Sequence, residues 1–268
     1  MAITPRDDPH LRRFLIAMGR SCSLRQAEPA DAVAAWIVTD DSDQRLITTS
    51  VPVFVWTRDA RRAATDWPPT AILLCAGQTA GDEAGRLVVP VPEPAVDTST
   101  VTYVNPLLRA RWRNRYGMPA DLVVTLEADG RPRDLPIGLR DTALAVAAVA
   151  VATGDAVLDA LAWGAPTVSD SQTAERLLLG EAAWVAPPDQ LVDAARNLAR
   201  SQTRMSELSW AGRSLVEARF DLVSAVNQAF AIAELPVGAA TLKPLHALLA
   251  ELRASEPVAW SIIRQVSD

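Results

Sequence analysis

The stretch Val151-Ala152-Thr153-Gly154-Asp155-Ala156-Val157-Leu158-Asp159-Ala160-Leu161-Ala162-Trp163-Gly164-Ala165-Pro166-Thr167-Val168 holds the residues best spaced to do chemistry. Its order reads as strand, glycine turn, helix, Gly-x-Pro stop and strand. Gly154 lets a second backbone or a ligand come close. The amides of Asp155, Ala156 and Val157 would stand at a helix N-terminus, where unpaired N–H groups and the helix dipole favour an anion such as a diphosphate. Asp159 falls one turn along that helix. A carboxylate there can accept two hydrogen bonds from the vicinal hydroxyls of a ribose. The same residues also fit a structural role, with Asp155 as a helix cap and Asp159 as a solvated helix position. Spacing alone leaves both open.

Such a site needs a parallel sheet behind it. The first part of the chain offers short β-rich runs at 32–38, 51–56, 71–76 and 86–91, bounded by Asp, Pro, Gly or Thr, with one short helix at 57–65. A helix at 106–116 stops at Gly117-Met118-Pro119. Strand and helix then alternate: strands at 122–126, 149–152, 166–169 and 182–185, and helices at 137–147, 155–163, 173–179, 189–201 and 205–220. Alternation of this kind predicts parallel strands joined by right-handed crossovers, which is an α/β fold. Beyond Pro236, amphipathic helices are predicted at 242–252 and 259–266. The first carries a stripe of Leu242, Leu245, Leu248, Leu249 and Leu252.

With these residues in place, the segment resembles the nucleotide-sugar signature of retaining GT-B glycosyltransferases. There a glycine turn precedes a Leu-Glu-Ala-Met/Leu-Ala-x-Gly-x-Pro-Val-Val run, matched here by Leu158 to Val168. Ser169-Asp170, Thr173-Ala174-Glu175, the segments 182–188 and 189–199, and the helix end at 213–220 are similar to the family's segments downstream of that run. Residues 109–119 resemble its entry into the second lobe. The resemblance implies two small Rossmann-like lobes with parallel sheets: a reduced N-terminal lobe over 1–107, a nucleotide-sugar-binding lobe over 108–235, and a helical tail over 236–268 packing back on the first lobe. It implies that Asp159 holds the ribose and that Gly154, Asp155 and Ala156 face the diphosphate of a UDP- or GDP-linked sugar. That donor is a substrate, and no cofactor or metal is implied.

The chain also departs from the family. Val151 stands where the family has an earlier, sugar-contacting acid. Two strand–helix units are missing between Leu126 and the next strand. Arg131, Arg133 and Arg140 remain as stand-ins for the basic clamp on the diphosphate, each otherwise a solvated charge. A Gly-rich acceptor loop is absent near the start. No catalytic residue is assigned. The expectation is a glycosyltransferase-like protein that binds a nucleotide sugar and, if active, transfers it with retention. The alternative is a catalytically inactive subunit that binds a partner protein or a second copy of itself.

Composition narrows the rest. The chain has 268 residues, 49% of them hydrophobic and 22% charged, with a formal net charge of −6. An acidic balance disfavours general nucleic-acid binding, which needs clustered Lys and Arg. The run Arg109, Arg111, Arg113 and Arg115 is split between two helix faces and reads as a solvated linker helix. Cys22 and Cys75 are read as buried, reduced thiols. Residues 1–8 lack the basic start and apolar core of a signal peptide, and the longest apolar run, 143–152, is about half a membrane span, so the chain is expected to be cytoplasmic. His10 is placed in a polar leader and His246 in the tail, neither beside a nucleophile. Asp40-Asp41-Ser42-Asp43 reads as a turn. Trp36, Trp56 and Trp184 are expected in the core.

Overall fold

Short runs dense in Val, Ile, Leu and Trp become strands, and every strand pair is parallel. The computed structural model describes residues 2–3, 8–20, 35–40, 51–77, 87–133, 135 and 137–235. Cys22, Asp41, Ser42, Asp43, His246 and the expected tail helices lie outside that set. One compact unit gathers the described residues of 1–99 and 220–235, and the other those of 100–219.

In the first unit five strands, β1 (Ala2–Ile3), β2 (Trp36–Thr39), β3 (Val53–Thr57), β4 (Ile72–Ala76) and β5 (Val88–Val91), lie side by side in chain order. Alternation of side chains sends Ile37, Phe54, Trp56, Leu74 and Val89 to one face. There they meet Phe14 and Met18 of helix α1 (Pro9–Met18) and Leu222, Val226 and Phe230 of helix α9 (Leu222–Ile232). Val38, Val55, Leu73 and Cys75 face the other way, against Ala60 and Ala63 of α2 (Ala60–Asp66) and Trp67. Both faces are covered, which is why the strands read as continuous apolar runs. Pro90 is tolerated because, among the described strands, β5 pairs only with β4.

Helix α1 corrects the reading of the chain start as a polar leader. Asp8 caps it by accepting the amides of His10 (2.8 Å) and Leu11 (3.2 Å), and Pro9 occupies the first turn. His10 is therefore held in a helix.

The second unit orders β6 (Val123–Leu126), β7 (Val149–Ala152), β8 (Thr167–Ser169) and β9 (Trp184–Val185), again in sequence. Six helices are described around them: α3 (Pro106–Tyr116), α4 (Arg140–Val146), α5 (Ala156–Ala162), α6 (Ser171–Leu177), α7 (Leu191–Leu198) and α8 (Gln202–Arg219). Val149, Val151 and Val168 form a core with Leu191, Ala195 and Leu198 of α7 and Met205 and Leu208 of α8. Two parallel-sheet α/β units are thus present, as the GT-B resemblance implied.

The arginines of α3 divide as their helical spacing requires, but only half of them are solvated. Arg111 and Arg115 are exposed, whereas Arg109 and Arg113 are buried at 1% and 4% exposure. Arg109 donates from Nε to the Val104 carbonyl (2.8 Å), from Nη1 to those of Leu144 and Ala147, and from Nη2 to that of Trp163. Arg113 donates to Val146 (2.7 Å), and Arg213 of α8 donates to Ala162 (2.6 Å). Apart from Val104, which precedes α3, these are the last carbonyls of α4 and α5, which have no partner within their own helices and carry the negative end of the dipole. Burial and repulsion from Arg113 push Arg109 down to about 9, and burial, opposed by Asp121, pushes Arg113 down to about 10. Both stay cationic at neutral pH. The solvated-linker reading gives way to a buried clamp.

The Gly-x-Pro stop is a packing device as well. Gly164 sits at φ +70°, and a Cβ there would lie 2.5 Å from the Tyr103 ring. Its carbonyl accepts the Ser209 hydroxyl at 2.7 Å, so the Tyr103 hydroxyl, 3.2 Å from Ser209 Oγ, is the donor of that pair. Among the tryptophans expected in the core, Trp36 (5%) and Trp56 (3%) are buried, but Trp184 is 43% exposed. β9 has two residues and stands at the edge of the sheet formed by the described strands.

Candidate functional site

In the second sheet Leu126 pairs in register with Ala152, and Val151 with Val168, so the turns that leave β6, β7 and β8 emerge at one carboxyl edge. Gly154 makes the turn after β7 at φ +60°, a conformation that favours glycine. Its amide donates to the Thr173 hydroxyl at 3.0 Å, and that hydroxyl donates to Asp170 Oδ2 at 3.1 Å. Asp170 in turn caps α6 by accepting the Thr173 amide at 2.7 Å. The turn after β7 is thereby tied to the helix after β8.

Asp155 precedes α5 without making a side-chain cap bond; its carboxylate pairs with Arg176 at 2.7 Å on the surface. Ala156 is buried at 2% exposure. Asp159, on the first turn of α5, is half-buried and meets Arg140 Nη1 at 3.1 Å. Arg140 also reaches Asp141 at 3.1 Å. Gly130, in the turn after β6 at φ +81°, lies against this pair: a Cβ there would come within 3.4 Å of Asp159 Oδ2 and 3.5 Å of Arg140 Nη1. Of the three arginines considered as clamp residues, Arg140 alone is paired to the predicted ribose carboxylate; Arg131 pairs with Asp129 and Arg133 with Glu127 in exposed positions. Val151 is buried in the core facing α7.

A second polar cluster, which the sequence did not reveal, occupies the carboxyl edge of the first sheet. His10 Nε2 lies 2.9 Å from Glu93 Oε1, Arg58 Nη1 lies 3.1 Å from the same oxygen, and Arg58 Nε lies 3.4 Å from Asp8 Oδ2. The Trp56 indole N–H donates to Asp8 at 3.2 Å. These residues come after β1, β3 and β5, so topology rather than chain distance gathers them. The usable signal was Asp8-Pro9 ahead of Leu11, Phe14 and Met18, a capped amphipathic helix start. Burial alone would raise the Asp8 carboxyl, but hydrogen bonds from the His10 amide, the Trp56 indole, the Leu11 amide and Arg58 hold it below its ordinary value of 3.8. A carboxyl held low stabilises the fold above that ordinary value and loses its contribution as pH falls through the lowered one. Asp8→Ala should therefore cost about 1 kcal/mol at neutral pH, the usual loss for a helix cap. The gap from wild type should close on acidification below 3.8. Thermal melts over that range test this; a gap that does not change with pH would contradict it.

No helix among the described residues is long and apolar enough to cross a membrane. No protein-family model and no curated protein matches the chain. Among solved structures, it is similar to HepE from Anabaena in complex with UDP, at 14% identity and a TM-score of 0.40 over 75% of this chain and 79% of that one. It is also similar to sucrose-phosphate synthase from Thermosynechococcus elongatus, at 14% identity and a TM-score of 0.37 over 82% and 68%.

Proposed function

We propose that this chain is a glycosyltransferase-like protein that binds a nucleotide sugar at the carboxyl edge of its second sheet. The observation that carries this reading is the convergence of Asp159 and Arg140 beside Gly130. A half-exposed carboxylate suits a ribose diol, and a guanidinium beside it suits a phosphate oxygen. Gly154, Asp155 and Ala156 would border the diphosphate. If transfer occurs, it proceeds with retention, through charge stabilisation on the diphosphate. Asp159→Ala is expected to weaken nucleotide-sugar binding by about 1–3 kcal/mol, the scale of hydrogen bonds to a charged group. Calorimetry with UDP, GDP, ADP and their sugars tests this, and equal affinity in wild type and variant would remove Asp159 from the site.

A specific observation favours the second reading, a silent subunit that binds a partner protein. Each polar group at this edge already has an internal partner: Gly154 has Thr173, Asp155 has Arg176, and Asp159 has Arg140. A ligand must displace these, and Val151 supplies no carboxylate. A melting temperature unmoved by any of the nucleotides or their sugars would sustain this second reading and end the first.

A further inference from the structure

Helix α7 and the start of α8 shape a cavity of about 430 Å³ beside the edge strand β9. That size falls within the range of small-molecule sites. It lies apart from the Asp159–Arg140 pair and shares none of its residues. Trp184 pairs in register with Val168, whose side chain faces α7, so its indole stands on that same face at the margin of the sheet. β9 is the last of the described strands in this sheet, and the ring is 43% exposed. Asp193 and Asn197 are one helical turn apart on α7 and form one wall, while Gln190 ahead of α7 and Ser201 and Arg204 at the α7–α8 turn close the others. Arg204 lies against the indole, its guanidinium carbon 5.5 Å from the ring centroid, and holds the ring in place.

Charge and hydrogen-bonding capacity select the ligand. The one cation among the lining residues, Arg204, is matched by Glu207 at 2.9 Å; Arg196, paired with Asp193 at 3.7 Å, and the exposed Arg200 flank the cavity without lining it. The lining itself offers no uncompensated positive charge to hold a phosphate. The side-chain amides of Gln190 and Asn197 make no hydrogen bond with the described residues, and each offers donors and an acceptor at once. The Ser201 oxygen accepts the Arg204 amide at 3.4 Å and keeps its proton to give. A flat apolar ring flanked by amides, a carboxylate and a hydroxyl matches a pyranose, which presents C–H groups on one face and hydroxyls around its rim. We infer that this cavity is a binding site for a neutral saccharide, with Trp184 as the platform and Gln190, Asp193, Asn197 and Ser201 as partners of the hydroxyls. The inference stands independently of nucleotide-sugar binding.

The test is a titration of the full chain with maltohexaose, cellohexaose and mannohexaose, monitored by the indole N–H signals in nitrogen–proton correlation spectra. At least one of the three should shift one indole signal saturably, and the shifting signal should be the one absent from Trp184→Ala. Affinity in Trp184→Ala should fall at least about tenfold, and Asn197→Leu should weaken binding in the same direction. Trp210→Ala, which removes a 69% exposed indole that does not line the cavity, and Asp159→Ala should both bind as wild type. The Asp159→Ala arm separates this site from the nucleotide edge. UMP is the competing probe. The proposal is overturned if none of the three oligosaccharides shifts an indole signal, if Trp184→Ala binds unchanged, or if UMP rather than a saccharide perturbs the Trp184 signal.

Discussion

Arg109→Leu should lower the stability of the second unit by about 3 kcal/mol or more, because each buried carbonyl left without its donor costs about 1–3 kcal/mol. Arg109 serves the carbonyls of Val104, Leu144, Ala147 and Trp163 with one planar group. Burying an arginine is expensive, and replacing a whole buried charge network with apolar side chains is often harmless. That escape requires the partners to be replaced too. Here they are main-chain oxygens, of Val104 ahead of α3 and of Leu144, Ala147 and Trp163 at the ends of α4 and α5, which no side-chain substitution removes. Among the described residues, only that of Trp163 keeps another donor, the Val104 amide at 3.2 Å. The orphaned carbonyls therefore outweigh the relief from desolvation. Arg109→Lys should fall in between, since an ammonium cannot reproduce the spread of a guanidinium. Urea denaturation of both variants measures this, and a leucine variant within about 1 kcal/mol of wild type would refute the clamp.

Gly164→Ala should cost about 2–4 kcal/mol from two sources. An alanine at φ +70° pays about 1 kcal/mol for the left-handed backbone. Its Cβ would also sit 2.5 Å from two carbons of the Tyr103 ring. Overpacking of this kind costs about 1–3 kcal/mol. The ring cannot simply swing away, because its hydroxyl bonds to Ser209, which holds the Gly164 carbonyl. Tyr103→Ala combined with Gly164→Ala should recover the steric part and leave the backbone part. A double-mutant cycle that shows no coupling between the two positions would assign the loss elsewhere.

The alternation of strands and helices from 122 to 220 was legible because each strand there is a short run centred on Val, Ala or Leu and followed within a few residues by Gly, Pro or Asp. So was the glycine turn at Gly154. Helices α1 and α9 were not read, though each has an Asp cap, at Asp8 and Asp221. Composition drew attention to the polar residues ahead of α1, and the apolar stripe of α9, Leu222, Val226 and Phe230, went unread behind the break at Phe220. The burial of Arg109 and Arg113 was invisible because surface exposure is the ordinary fate of arginine, and only the placement of two helix ends beside α3 overrides it. Exposure of Trp184 was hidden for the converse reason: whether a strand lies at an edge depends on pairing order, which local sequence does not carry. The pairing of Asp159 with Arg140 depends on two helices, α5 and α4, that come from different crossovers.

The sheet order has a related consequence for the candidate site. In doubly wound sheets of order 3-2-1-4-5-6, the strand order reverses between the first and fourth strands, and that reversal opens the crevice in which ligands sit. The order of the described strands, β6-β7-β8-β9, contains no such reversal. A nucleotide at this edge would lean on the Asp159–Arg140 pair more than on a crevice.

The route of the chain between the two units bears on how the protein is made. One face of the first sheet, carrying Phe54, Leu74 and Val91, is finished only when Leu222, Val226 and Phe230 arrive. Roughly 130 residues separate Val91 from Leu222, and at ordinary rates of synthesis that is a delay of about 7–26 seconds. During that interval the strands have been synthesised but half of their cover has not, whereas the described residues of the second unit, 100–219, are continuous in sequence. The nascent chain thus carries an open apolar face through the synthesis of that whole stretch, and the last of the described helices to leave the ribosome is the one that covers it.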